Sequence, residues 1–160
     1  MAIEADRLRL VPLARADAAD MFPGLDDRSL HRHAGGEPMD APALEAHYER
    51  LERGAPDDGS QVWANWVVRL RDTGEAIGYV QATITDDSAD LAWVIGSPWQ
   101  REGYGSEAAH AMTAWLRGAG IGTLRAHIPP GNEPSARVAD RAGLRSTGRT
   151  DAEGEVVWES

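Results

Sequence analysis

Three apolar segments separated by short polar turns constrain the fold more than any other feature of the chain. The first, QVWANWVVRL, runs to about residue 71, the second, AIGYVQATI, begins at residue 76, and the third, LAWVIG, begins at residue 91. A DTGE turn and a DDSAD turn connect them, and both are rich in residues that favour tight turns. Because connections this short join antiparallel neighbours, the sequence predicts an antiparallel sheet here.

Two helices alternate with further strands after this sheet. Apolar residues recur at helical spacing from Gly103 to Gly118, and the segment TLRAHI that follows alternates as a strand. A strand that is reached across a helix is predicted to lie parallel to the strand before it. NEPSARVADRAG then predicts a second helix, and LRSTGRTD with EVVWES predicts a closing hairpin.

The N-terminal third of the chain is less regular. Within residues 3–11, Leu8 and Leu10 alternate with Arg7 and Arg9, which predicts one half-buried strand over this range. ARADAADMF and residues 41–54 are predicted helices, and residues 22–40 between them show no pattern that identifies a substrate. The whole chain of 160 residues is expected to form one mixed α/β domain without a repeat or a linker.

The composition excludes several classes of function. Twenty-six acidic and sixteen basic residues give a formal net charge of −10, which disfavours nucleic acid and anionic lipid and favours a cationic partner. The chain has no cysteine and no lysine, so neither can act as a nucleophile, and His31 and His33 lack a metal-ligand partner at usable spacing. With no apolar run long enough to span a membrane and no signal peptide, a cytoplasmic protein is expected.

The stretch QREGYGSEA places two glycines at the start of a helix, where each costs about 1 kcal/mol against alanine. A strand that turns into a helix here leaves backbone N–H groups free at the positive end of the helix dipole. Such a turn can hold a phosphate, with Gly103 and Gly105 allowing close approach and Arg101 adding a charged contact. Close packing of the glycines is the alternative.

The pattern Q-x-x-G-x-G, directly after a strand and upstream of NEPS and Gly143, resembles the GNAT acetyltransferases, whose [QR]-x-x-G-x-[GA] loop binds the pyrophosphate of acetyl-coenzyme A. The segments ADRLRLVPL, ADLAWVIGSPWQREGYGSEA and NEPSARVADRAGL are similar to the ribosomal-protein-alanine N-acetyltransferase branch and span nearly all of the chain. The resemblance implies a single GNAT domain over residues 1–160. Its fold is a mostly antiparallel twisted sheet of about six or seven strands, with a parallel, splayed pair at strands 4 and 5 and about four flanking helices.

The same resemblance implies an N-acetyltransferase in which a primary amine attacks acetyl-coenzyme A directly in a ternary complex, without a metal. The acceptor amine would belong to a protein N-terminus or a small molecule, and the acidic composition favours a cationic one. A catalytically silent coenzyme A-binding sensor or scaffold is the alternative. The family analogy also admits a homodimer formed through the closing hairpin.

By the same resemblance, backbone amides of the fourth strand, freed by a bulge and by splaying, hold the thioester and the pantetheine arm. The glycine loop holds the pyrophosphate. The predicted cofactor-binding residues are Trp93, Val94, Ile95, Gln100, Arg101, Glu102, Gly103, Tyr104, Gly105, Ser106 and Asn132.

Acetyl transfer needs a group that removes a proton from the amine, because alkyl amines have a pKa of about 10. Asp90 stands where the branch often carries a glutamate, although it could be a solvated turn residue. Ala139 stands where many members have a tyrosine that protonates the leaving thiolate. In the branch that the chain resembles, the serine of an N-x-x-S motif has this role, and the resemblance implies it for Ser135. Asn132 would orient the pantetheine or Ser135, and both residues could instead only cap a helix. His127 could relay a proton or simply be hydrogen-bonded or solvated.

Overall fold

The structure is a computed structural model that describes residues 2–14, 16, 17 and 59–160. This part of the chain contains eight strands and two α-helices, with one 3-10 turn at Ser97–Trp99. The strands are β1 (Ile3–Glu4), β2 (Leu8–Pro12), β3 (Val62–Leu70), β4 (Ala76–Thr85), β5 (Ser88–Ile95), β6 (Thr123–Ile128), β7 (Arg145–Thr150) and β8 (Val156–Glu159). The helices are α1 (Tyr104–Gly118) and α2 (Glu133–Arg141). The helices predicted in ARADAADMF and over residues 41–54 lie outside the described residues, apart from the start of the first.

All eight strands form one mixed sheet in the order β1-β2-β3-β4-β5-β6-β8-β7. Each neighbouring pair is antiparallel except β5 and β6, which are parallel and are joined through α1. The mixed α/β fold, the parallel crossover and the closing hairpin are therefore confirmed. The sheet has eight strands where six or seven were predicted, because the N-terminal strand is two strands.

The single strand predicted over residues 3–11 is wrong. β1 and β2 pair antiparallel, with Ile3 opposite Leu10. The turn between them is closed by the N–H of Ala5, which donates to the carbonyl of Leu8 at 3.0 Å. The apolar residues change from odd positions, Ile3 and Ala5, to even positions, Leu8 and Leu10, so the alternation breaks at the turn itself. As a consequence, Arg7 lies in a turn at the sheet edge rather than in a strand.

The start of β5 also differs from the prediction, since the strand begins at Ser88 rather than at residue 91. The turn before it is tighter than DDSAD suggested, because Asp86 adopts a left-handed φ of 54°, which aspartate tolerates better than most residues. Asp90 therefore lies within the strand, opposite Thr83 of β4 and Arg125 of β6. The interpretation of Asp90 as a turn residue is wrong.

The main hydrophobic core lies between one face of the sheet and α1. Met112 and Leu116 of α1 are fully buried, and burying such a side chain stabilises a fold by roughly 1.5–3 kcal/mol. Trp66 of β3 meets Trp115 edge to face, with ring centroids 5.3 Å apart and an interplanar angle of 73°. These contacts fix α1 against the sheet and thereby place its first turn beside the end of β5.

The parallel pair separates along its length. β5 and β6 pair only as far as Leu91 and Ala126. β5 then continues to Ile95 beside β4, while β6 continues to Ile128 beside β8. The predicted splay is therefore confirmed. The bulge expected in the same strand is wrong, because the ladder between β4 and β5 runs without a register shift.

Candidate functional site

A cleft of about 800 Å³ opens where β6 leaves β5, between the end of β5 and the N-termini of α1 and α2. Ten of the eleven predicted cofactor-binding residues line it, while Glu102 and the predicted base Asp90 do not. The residues that line the cleft are Trp93, Val94, Ile95, Trp99, Gln100, Arg101, Gly103, Tyr104, Gly105, Ser106, Asn132, Pro134, Ser135, Arg137, Val138 and Arg141.

Within the part of the chain that the structure describes, no side chain caps the N-terminus of α1. Gly103 occupies the N-cap position with a left-handed φ of 82°, and the first intrahelical bond runs from the N–H of Glu107 to its carbonyl at 3.1 Å. The amides of Tyr104, Gly105 and Ser106 thus have no partner within the helix. Their N–H groups lie at the positive end of the helix dipole and beside the cleft, which is the arrangement that attracts an anion.

The two glycines of the loop have different roles. A side chain at Gly103 would be strained by the positive φ, although among the described residues an added Cβ would approach only Nη2 of Arg7, at 3.4 Å. A Cβ on Gly105 would lie 3.4 Å from Val138 and 3.6 Å from Ile95, which are ordinary contact distances. The positive φ of the turn therefore favours glycine at position 103, whereas Gly105 marks where α1 passes close to β5 and α2.

Arg7 braces the glycine loop from the turn between β1 and β2. Its Nε and its backbone N–H donate to the two carboxylate oxygens of Glu107, each at 2.8 Å, and Nη1 donates to the carbonyl of Glu102 at 2.9 Å. The guanidinium also lies over the ring of Tyr104, 4.4 Å from its centroid. The hydrogen bond to Glu107 raises the pKa of the Arg7 guanidinium above its ordinary value. Sequence reasoning missed this brace, because nothing in the sequence links residues so far apart.

A second anchor joins the loop to the unpaired edge of β5. Nε2 of Gln100 donates to the carbonyl of Ile95 at 2.9 Å. The N–H of Gly96 donates to the carbonyl of Ile77 in β4 at 2.7 Å. Backbone N–H and C=O groups alternate in direction along an antiparallel strand, so those of Trp93 and Ile95 point away from β4. They therefore face the side that β6 has left.

Three arginines line the cleft in a chain whose formal net charge is −10. Arg137 and Arg141 are four residues apart and so share one face of α2. Nη1 of Arg141 donates to the hydroxyl of Ser106 at 3.5 Å, and Arg101 lies in the loop before α1. These cations concentrate positive potential beside the uncapped helix. Sequence reasoning missed Arg137 and Arg141, although their four-residue spacing in RVADR was visible.

Asn132 caps α2. Its side chain is buried, with 7% exposed, and its Oδ1 accepts from the N–H of Ser135 at 3.3 Å, while Pro134 occupies the first turn. The hydroxyl of Ser135 lies at the cleft, and no side chain or carbonyl in the described part of the chain hydrogen-bonds to it. The cap thus holds Ser135 at the cleft and leaves its hydroxyl available. Ala139 is fully buried in the core.

His127 lies between two carboxylates. Its Nδ1 is 2.8 Å from Oδ2 of Asp151 in the turn between β7 and β8, and its Nε2 is 3.4 Å from Oδ1 of Asp90. Oδ1 of Asp151 accepts from the backbone N–H groups of Glu153 and Glu155, at 3.0 and 2.9 Å. The amide of Glu155, followed by the hydrogen bond from His127, lowers the pKa of Asp151. Partial burial and the nearby charge of Asp151 raise the pKa of Glu155.

Within residues 2–14, 16, 17 and 59–160, no group of three or more histidine or carboxylate side chains is arranged to hold a metal ion. His31 and His33 lie outside these residues. None of the helices described is long and apolar enough to cross a membrane.

A family model described as an acetyltransferase (GNAT) domain matches residues 7–145. An acetyltransferase of the GNAT family from Bacillus anthracis is structurally similar over 100% of this chain and 98% of its own, with a TM-score of 0.83 and 19% identity. An acetyltransferase from Agrobacterium tumefaciens matches 100% of this chain and 94% of its own, with a TM-score of 0.76 and 24% identity. The aminoglycoside acetyltransferase AAC(6′)-Ib in complex with coenzyme A matches 96% of this chain and 94% of its own, with a TM-score of 0.78 and 16% identity. At these identities the similarity concerns the fold alone, and no curated protein matches the sequence.

Proposed function

We propose that this chain, which belongs to the GNAT acetyltransferase family, transfers the acetyl group of acetyl-coenzyme A to a primary amine bound in the same complex. The observation that carries the proposal is the uncapped N-terminus of α1, which opens into a cleft beside three arginines and the unpaired edge of β5. The proposal treats residues 1–160 as a single domain acting in the cytoplasm.

The cleft suits each part of acetyl-coenzyme A. The amides of Tyr104, Gly105 and Ser106, with Arg101, would hold the pyrophosphate, because N–H donors at a helix N-terminus and a guanidinium both favour phosphate. Arg137 and Arg141 would add charge for the remaining phosphate. The open edge of β5 would pair with the amides of the pantetheine arm, as an added strand would.

The chemistry then follows from the groups around the splay. The amine nitrogen, once neutral, attacks the thioester carbonyl carbon, so that a C–N bond forms and the C–S bond breaks with its electron pair on sulfur. Donors on the edge of β5, at Trp93 or Ile95, would stabilise the oxyanion that develops. The hydroxyl of Ser135 would protonate the thiolate, and Asp90 would take part in removing the proton of the amine.

The acceptor is a primary amine of a peptide N-terminus or of a small molecule. A cationic acceptor is favoured, because the chain carries a net charge of −10 and Asp90 is half exposed next to the splay. The structural similarity to an aminoglycoside acetyltransferase makes aminoglycosides a sensible part of any acceptor panel.

Calorimetric titration with coenzyme A, followed by thiol release from acetyl-coenzyme A, tests the proposal. The acceptor panel contains aminoglycosides, polyamines and short peptides with free N-termini. We expect coenzyme A to bind and at least one amine to accelerate thiol release in proportion to its concentration. The absence of binding would contradict the proposal as a whole.

A catalytically silent coenzyme A-binding domain is the second candidate. It is favoured by Ala139, which is fully buried at the position where many family members carry a tyrosine. This reading predicts coenzyme A binding at the same cleft without acceptor-dependent thiol release. The two candidates therefore predict the same result in the coenzyme A titration and different results in the thiol-release assay.

A further inference from the structure

We infer that Asp151 positions His127 so that Nε2 of the histidine accepts the proton released by the acceptor amine. The turn between β7 and β8, which carries Asp151, would then belong to the active site. The inference rests on the proposed acetyl transfer, but the arrangement of the histidine can be tested without it.

His127 lies at the splay, on the face of the sheet opposite the cofactor cleft. It is the first residue of β6 beyond the last pair, Leu91 with Ala126. Its neighbours Ala126 and Ile128 are buried in the core, whereas the His127 side chain is 36% exposed on the other face. A thioester that reaches the splay from the cleft can therefore meet an amine that arrives from the side of His127.

Asp151 determines which ring nitrogen can accept a proton. An ionised carboxylate only accepts hydrogen bonds, so the 2.8 Å contact requires Nδ1 of His127 to carry the hydrogen. The neutral ring then keeps its lone pair on Nε2. Asp151 is suited to this role, because its other oxygen is held by the N–H groups of Glu153 and Glu155 and its side chain is only 16% exposed.

Nε2 of His127 and Oδ1 of Asp90 form a pair of acceptors 3.4 Å apart. With the ring neutral, no hydrogen lies between them, so a proton delivered by a substrate would be shared by both. Within the described residues, the charged groups near the ring include Glu155 of the same turn as Asp151, and Arg125 of β6, which pairs with Glu159 at 2.9 Å. The carboxylates of Asp151 and Asp90 therefore face the two ring nitrogens, one on each side.

The complete proton balance is as follows. An acceptor that arrives as R–NH₃⁺ transfers one proton to Nε2 of His127, and the N–H electron pair stays on nitrogen. The neutral amine forms the C–N bond, and sulfur leaves with the C–S electron pair. The nitrogen then loses a second proton, and the thiolate takes up one proton to become the thiol. The imidazolium releases its proton to solvent through its exposed edge, so that the products are the amide, coenzyme A and one proton.

The competing explanation is that Asp151 and His127 only tie the β7–β8 hairpin to the sheet. Asp151→Asn separates the two explanations, because the amide oxygen can still accept from Glu153 and Glu155 while the amide N–H is turned to Nδ1. His127 then has to accept at Nδ1 and carry its hydrogen on Nε2, which removes the proton acceptor. Glu153→Gln is the matched control, since it removes the same charge from the same turn without touching the ring.

The tautomer of His127 is measured by ¹⁵N NMR, and kcat and KM are measured across pH with the best acceptor of the panel. We expect the Nδ1–H form in the wild type and in Glu153→Gln, and the Nε2–H form in Asp151→Asn. We also expect Asp151→Asn to lower kcat by about 100-fold or more, with an unchanged KM for acetyl-coenzyme A and a changed pH profile. An unchanged tautomer and a rate within about twofold of the wild type would overturn the inference.

Two further outcomes are informative. If Asp151→Asn lowers the unfolding midpoint, His127→Gln is used in its place, because glutamine can donate to Asp151 but cannot take up a proton. The same loss of kcat is expected for this variant. An unchanged kcat would overturn the inference. If no acceptor supports transfer, the proposed function fails on its own terms. The proton transfer to His127 fails with it, whereas the positioning of His127 by Asp151 is still tested by the wild-type tautomer, and the Nε2–H form would overturn it.

Discussion

Arg7 and Glu107 lie one hundred residues apart in the chain and are joined by two hydrogen bonds of 2.8 Å, one from Nε and one from the backbone N–H of Arg7. They connect the N-terminal hairpin to the first turn of α1. The carboxylate of Glu107 would otherwise compete with a bound anion for the positive end of the helix, but here it is neutralised by Arg7. The loop that faces the cleft is thus held in shape by a contact outside the cleft.

Replacing Arg7 should weaken coenzyme A binding more than it destabilises the fold. In Arg7→Gln the hydrogen bond from Nε to Glu107, the bond to the Glu102 carbonyl and the contact with Tyr104 are lost, while the backbone N–H of residue 7 can still donate to Glu107. Exposed ion pairs contribute only about 0–1 kcal/mol to stability. We expect the Kd for coenzyme A, measured by calorimetry, to rise about tenfold, equivalent to about 1.4 kcal/mol.

Arg9→Gln is the matched control for this prediction. Arg9 lies in the same hairpin, and its only ion pair in the described part of the chain is with Glu4 at 2.9 Å and does not involve the loop. The role assigned to Arg7 is wrong if both variants change the Kd equally.

Gly103 should tolerate asparagine but not valine. Its φ of 82° is accessible to asparagine, whereas a β-branched residue is a genuine outlier there. An added Cβ would lie 3.4 Å from Nη2 of Arg7. We expect Gly103→Asn to bind coenzyme A within about threefold of the wild type, and Gly103→Val to bind at least about tenfold more weakly and to unfold at lower temperature. Equal weakening in both variants would show that the Cβ itself blocks the ligand.

Arg141 should contribute to binding through its charge. Arg141→Gln removes a cation from the cleft, so we expect an approximately tenfold higher Kd for coenzyme A at low salt and a smaller difference at high salt, where charges are screened. Arg145→Gln is the control, because Arg145 pairs with Asp140 at 2.6 Å and does not line the cleft. A loss that is independent of salt would indicate a packing role for Arg141.

Asp151 should make the stability of the fold depend on pH. Because its pKa is lowered below the ordinary value of 3.8, its carboxylate stabilises the folded state above that pH, and this contribution is lost as the pH falls through the folded pKa. Glu155, whose pKa is raised, acts in the opposite direction. Urea unfolding of wild type and Asp151→Asn from pH 7 to pH 3 should show the wild type losing more of its free energy of unfolding. Parallel curves for the two proteins would contradict this role.

Much of the sheet could be predicted because its determinants are local. Short turns between alternating segments define β3, β4 and β5, and the helix between β5 and β6 determines that they are parallel. The cap at Asn132 could be predicted for the same reason, since Asn132 and Ser135 lie within one turn.

The remaining features depend on long-range contacts that leave no local pattern. The β1–β2 turn presents Arg7 to Glu107, one hundred residues away, and this contact leaves no pattern in the sequence around either residue. Asp151 reaches His127 only because the closing hairpin folds back beside β6. Arg137 and Arg141 were missed for a different reason: their spacing is local, but their value depends on the cleft that α2 faces.

The claim on which everything else depends is that the N-terminus of α1 binds the diphosphate of the cofactor. Titration of ¹⁵N-labelled protein with coenzyme A, followed by amide NMR, tests it directly. Saturable shifts should be largest at Tyr104, Gly105 and Ser106 and much smaller at residues of β7, which lie at the far edge of the sheet. Saturable binding that leaves those three amides unmoved, or no binding at all, would contradict it.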